Sequence, residues 1–212
     1  MRPGDEPPAD PAFAYPEAAH VRRHGPMGYA DDGRYKPWPR DEFDYRCVYC
    51  LCREAWFPDG DASLSVEHSV AVSAAPPGPT SYDTLLYACC LCNAIRQATP
   101  LPLDPCCGLG AHLVVRQDGT IRGLSGPGED LIEACRLDRP ALVEYRRTIL
   151  AVLAFFRASG EPAALEVLGR YLAYPASLPD LSVLVPPGNT RPEGVLRSAS
   201  ARRRRGELPA MY

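Results

Sequence analysis

Four cysteines constrain this chain more than any other feature. They form two Cys-x-x-Cys pairs, Cys47/Cys50 in "YRCVYC" and Cys89/Cys92 in "YACCLCN". A Cys-x-x-Cys turn presents two thiolates to one ion, and Zn2+ takes four ligands in a tetrahedron, at about 2.3 Å to sulfur. Two such turns leave no open position, which is the pattern of a structural zinc rather than a catalytic one. Residues 51–88 lie between the pairs, a longer stretch than in short zinc ribbons, with room for a small folded insert. Nine cysteines would suit a disulfide framework in a secreted chain; in a reducing compartment such pairs read as metal ligands. The start "MRPGDEPPADPAFAYPEAAH" lacks the basic and apolar regions of a signal peptide, and no apolar run reaches the roughly 20 residues of a bilayer span. The expectation is a soluble cytoplasmic protein with no membrane partner. Cys52 and Cys90 each neighbour a pair without completing another. Cys106-Cys107 suits packing or a thiol role better than metal, and Cys135 reads as core.

The chain of 212 residues has room for one domain with flanking segments. Many of its 24 prolines sit before Cys47 or after Tyr174, so residues 1–40 and 175–212 read as extended Pro-rich arms. The first arm is either a linker that lays Trp38 and a few tyrosines on the domain surface, or a phosphate-contacting arm through Arg22, Arg23, Arg34 and Lys36. The second carries Arg202–Arg205, which reads as a solvated run or as a non-specific DNA-binding tail. A formal net charge of −3 excludes a whole-chain basic field, so any contact with nucleic acid must come from local patches. Residues 41–174 then form the domain, with the knuckles over about 41–105 and a hairpin plus helices over about 106–174. "HLVVRQDGTIRGL" alternates around Asp118-Gly119, a turn pair suited to positive φ. Helices follow from about Pro127, from Pro140 with Leu142, Tyr145, Ile149, Val152, Leu153 and Phe156 at helical spacing, and from Pro162 to Leu172. The fold class is α+β.

Between the knuckles, "SLSVEHSVAVS" places apolar residues at Leu64, Val66, Val70 and Val72, and His68 breaks the alternation. On a regular strand Glu67 and His68 point to opposite faces. For both to reach one site, the strand must end or bulge there.

The pattern Cys47, Cys50, Glu67-His68, Tyr82, Leu85, Tyr87-Ala88-Cys89, Cys92-Asn93 resembles the HNH endonuclease family, over about Phe43 to Pro105. The resemblance implies a ββα-metal finger stapled by a four-cysteine zinc. It implies that His68 is the general base, and that Glu67 and Asn93 hold a catalytic divalent ion, Mg2+ or Mn2+, that stabilises charge on the phosphate. Thr84 stands where the family's Asn braces the loop and orients the histidine, Glu67 stands where Asp is most frequent, and Ala71 replaces a common proline. Arg46, Arg53 and Arg96 are the expected contacts to a nucleic-acid backbone. The implied function is metal-dependent hydrolysis of DNA phosphodiester bonds. The alternative is an impaired zinc-stapled module of the same family that binds nucleic acid or a protein without cutting, and a purely structural zinc ribbon is the third reading.

Overall fold

The computed structural model describes residues 9–70 and 81–212; the first eight residues, Ala71 and Val72 lie outside them. The fold is α+β, built from short antiparallel strand pairs and helices. In chain order the elements are β1 (Pro26–Met27), α1 (Pro37–Glu42), β2 (Leu64–His68), β3 (Leu85–Cys89), α2 (Cys90–Arg96), β4 (Leu113–Val115), β5 (Ile121–Gly123), α3 (Gly126–Cys135), α4 (Pro140–Ser159), α5 (Pro162–Leu172), β6 (Gly188–Asn189), α6 (Gly194–Arg197) and α7 (Ala199–Arg204). No helix among the described residues is long and apolar enough to cross a membrane.

The chain divides into two compact units. One combines residues up to His20, the turn Tyr49–Leu51, and Leu101–Ala173. Its β4–β5 hairpin turns at Asp118-Gly119, where Asp118 Oδ1 accepts from both the amide and the hydroxyl of Thr120. Gly119 has φ +82°, and a Cβ there would lie 2.3 Å from the carbonyl oxygen of Val143 in α4, so both the turn and the helix approach require glycine. Ser125 caps α3 through the Gly128 amide, Pro140 opens α4, and Gly160 closes it in the left-handed conformation. Leu142, Ile149, Leu150 and Leu153 form the buried stripe of α4, which packs along α5. Cys135 is buried, as core. Residues 9–20 belong to this unit: Phe13 is fully buried, and Asp10 caps its own turn and pairs with Arg157.

The other unit combines Val21–Val48, Cys52–Pro100 and Tyr174–Tyr212. Its core is Tyr35, Trp38, Tyr82, Leu85 and Leu181. The expectation of extended arms is therefore corrected on both sides. Trp38 is wholly buried, β1 pairs with β6 across the sequence, and Leu181 comes from the supposed tail. The physical reason lies in a buried polar cluster. Asp41 accepts from His24 Nε2 at 2.8 Å, from the Tyr45 hydroxyl at 2.9 Å and from the Ala199 amide at 2.7 Å. Glu42 accepts from the amides of Arg23 and His24 and from the Tyr82 hydroxyl. Glu54 holds Arg40 by two hydrogen bonds of 2.8 and 2.6 Å and also accepts from the Tyr87 hydroxyl. Burial, reinforced by these carboxylates, pushes the Tyr82 and Tyr87 phenols up, so both remain donors. The arginine run is ordered as well. Arg203 donates to the carbonyls of Pro175 and Ala176, Arg204 pairs with Asp180, and Arg205 with Glu207.

Candidate functional site

The second unit places a strand, a strand and a helix in succession. β2 and β3 pair antiparallel in unbroken register, from Leu64 opposite Cys89 to His68 opposite Leu85. α2 follows β3 directly, with Cys89 as its N-cap. The four knuckle cysteines meet at this junction. Cys47, Cys50, Cys89 and Cys92 are all buried, and their sulfur atoms lie within 4.8 Å of one another. Three local features shape the pocket: the Cys47 amide donates to the Cys52 carbonyl, Leu51 takes φ +62°, and the Cys92 amide points at Cys89 Sγ at 3.4 Å. Four converging thiols suit a soft-ligand, four-coordinate metal such as zinc. Cys52 and Cys90 stay outside the set, as expected.

β2 carries Glu67 and His68 with no bulge, and the two side chains meet different elements. Glu67 is buried, and its Oε1 accepts from Arg96 Nη1 at 2.6 Å. Arg96, also buried, donates further to the carbonyls of His68, Ser69 and Gln97. His68 instead lies at the rim, its side chain 21% exposed, with Nε2 at 3.2 Å from Asp32 Oδ2. Period-two geometry thus separates a pair that the sequence reading joined in one site. Asn93 faces β2: its Nδ2 donates to Ser65 Oγ at 2.9 Å and to the Val66 carbonyl at 3.3 Å, which ties α2 onto the strand. The Thr84 hydroxyl donates to the Ser81 carbonyl, while the Thr84 carbonyl accepts from the Ser69 amide at 2.8 Å. The loop after His68 is therefore braced by the backbone of residue 84.

The expected nucleic-acid contacts are mostly inside. Arg96 is committed to the Glu67 pair. Arg53 is buried, stacked over Tyr212 at 4.1 Å and facing Trp56; burial pulls its pKa down to about 10. A buried guanidinium engaged in this way cannot reach a phosphate without giving up these partners. Arg46 is partly exposed, and Arg34 is exposed on the turn that carries Asp32. Asp32 is the contact that sequence reasoning missed. It lies 36 positions before His68 in the chain, and no spacing rule links them; only the packing of the Asp32–Tyr35 turn against β2 does.

Compared with family models, with curated proteins and with solved structures, the chain finds no match.

Proposed function

We propose that this chain is an HNH-type endonuclease module in which a four-cysteine zinc holds the fold and His68 acts as the general base. One observation carries the reading: a strand, strand and helix fastened to four converging cysteines present a partly exposed histidine at the end of the first strand. Cys47, Cys50, Cys89 and Cys92 fit zinc in number, burial and proximity, and the ion supplies rigidity there. In the proposed reaction a water oxygen attacks the phosphorus and its proton passes to His68. The bond to the leaving oxygen breaks, and that oxygen takes a proton from solvent. Arg46 and Arg34 are the accessible cations suited to phosphate oxygens. The substrate class is DNA.

Glu67 and Asn93, as placed, do not fit the Mg2+ or Mn2+ that the family resemblance implies. A guanidinium occupies a Glu67 carboxylate oxygen, and the Asn93 amide nitrogen is turned to β2. This favours the second reading, a module that binds DNA or protein without cutting, with Arg96 supplying the positive charge beside Glu67. Supercoiled plasmid incubated with the protein in EDTA, Mg2+ or Mn2+, alongside His68→Ala, separates the two. Relaxation or linearisation by wild type that His68→Ala loses supports the nuclease. Gel-shift binding with no cleavage in any metal supports the binding module. Equal cleavage by both proteins overturns the role of His68.

A further inference from the structure

We propose that Asp32 is a positioning residue for His68, an assignment that rests on the nuclease reading above. Its carboxylate oxygen lies 3.2 Å from His68 Nε2. Two facts make this contact more than a chance meeting of surface side chains. First, the turn that carries Asp32 has its own cap: Asp31 accepts from the Gly33 amide at 2.8 Å. Second, the turn is fastened at both ends of β2. Tyr35, which ends it, is fully buried in the same cluster as Leu85, the residue opposite His68 in the sheet. Lys36 donates to the Asp61 carbonyl at 2.7 Å and pairs with the Asp61 carboxylate at 3.5 Å, just before β2 begins. Both partners are therefore held by the framework, as a preorganised pair requires.

The chemistry follows from the nitrogen engaged. At the observed ion-pair distance of 3.2 Å, the proposed role of the Asp32 carboxylate is to accept from Nε2–H, which fixes the tautomer with its lone pair on Nδ1 and stops the ring from rotating. Nδ1 is then the nitrogen that receives the proton of the attacking water. The Thr84 hydroxyl, turned to the Ser81 carbonyl, does not orient the imidazole, and Asp32 supplies that function from another part of the chain. With Asp32 about half exposed, the pair adds little to stability; its effect is on orientation.

The test pairs kinetics on plasmid DNA with 15N spectra of histidine-labelled protein, for wild type, Asp32→Ala and Asp32→Glu. Asp32→Ala is expected to lower kcat by about 10–100-fold with KM unchanged, and Asp32→Glu to recover part of the loss. The wild-type 15N spectrum is expected to show His68 protonated at Nε2 in its neutral form, and the Asp32→Ala spectrum an averaged tautomer. Equal kcat values with identical spectra overturn the assignment, as does a raised KM at constant kcat, which makes Asp32 a binding residue. If wild type does not cut, the nuclease reading fails separately, and the spectra alone decide whether Asp32 orients the ring.

Discussion

The helical segment α3–α5 and the segment β2–β3–α2 are held by different forces. The first buries a leucine and isoleucine stripe between regular helices, with a serine cap on α3 and a glycine stop on α4. Its stability is area removed from water, spread over many small contributions. The second is short in every element, with two strands of five residues and a helix of seven. It relies on a few concentrated polar links: four converging thiols, the buried Arg96–Glu67 pair, and Asn93 on β2. A distributed core loses stability gradually under mutation. A linked one fails when a single partner is removed, because the other is left buried and uncompensated.

The largest effect should come from the cysteines. Cys89→Ser, or a strong chelator, is expected to cost on the order of 10 kcal/mol of metal-coupled folding free energy. Elemental analysis should show loss of bound zinc, and near-UV circular dichroism loss of the tyrosine environment around β3. Unchanged zinc content would remove Cys89 from the ligand set. Next, Arg96→Ala should destabilise by about 3–5 kcal/mol, while joint replacement of Glu67 and Arg96 by Leu and Met should recover much of that loss. Urea unfolding of the three proteins decides it, and a harmless Arg96→Ala would place the pair in solvent. In the helical segment, Leu153→Ala should cost about 2–5 kcal/mol by leaving a cavity, with no effect on zinc content. Thr84→Asn should change stability by less than about 0.5 kcal/mol and cleavage only slightly, because the bond that braces Ser69 comes from the backbone of residue 84. A large gain in cleavage would mean that the side chain is the limiting brace.

The same contrast explains what could be read in the sequence. Helical spacing from Leu142 to Phe156, the Asp118-Gly119 turn and the two Cys-x-x-Cys pairs are local patterns, and each has its element in the structure. Asp41, Glu42 and Arg40 are not legible in that way. In "PWPRDEF" they look like a polar linker, yet they are buried by His24, Glu54, Tyr82, Ser177 and Ala199, partners scattered over much of the chain. Proline content suggested arms for the same reason: it reports backbone restriction, not burial. Within the site, alternation along β2 was sufficient to place Glu67 and His68 on different faces, but the resemblance drew them together. Asp32 had no local signal at all.

Neighbouring residues of one strand thus divide the work, Glu67 for the fold and His68 for the proposed chemistry. Side-by-side equilibrium unfolding of Glu67→Ala and His68→Ala tests this division most directly. We expect Glu67→Ala to lose about 3–5 kcal/mol, since it strands the buried Arg96. We expect His68→Ala, at the rim, to stay within about 0.5 kcal/mol of wild type. A large loss in His68→Ala together with a neutral Glu67→Ala would contradict the division and put the histidine in the framework.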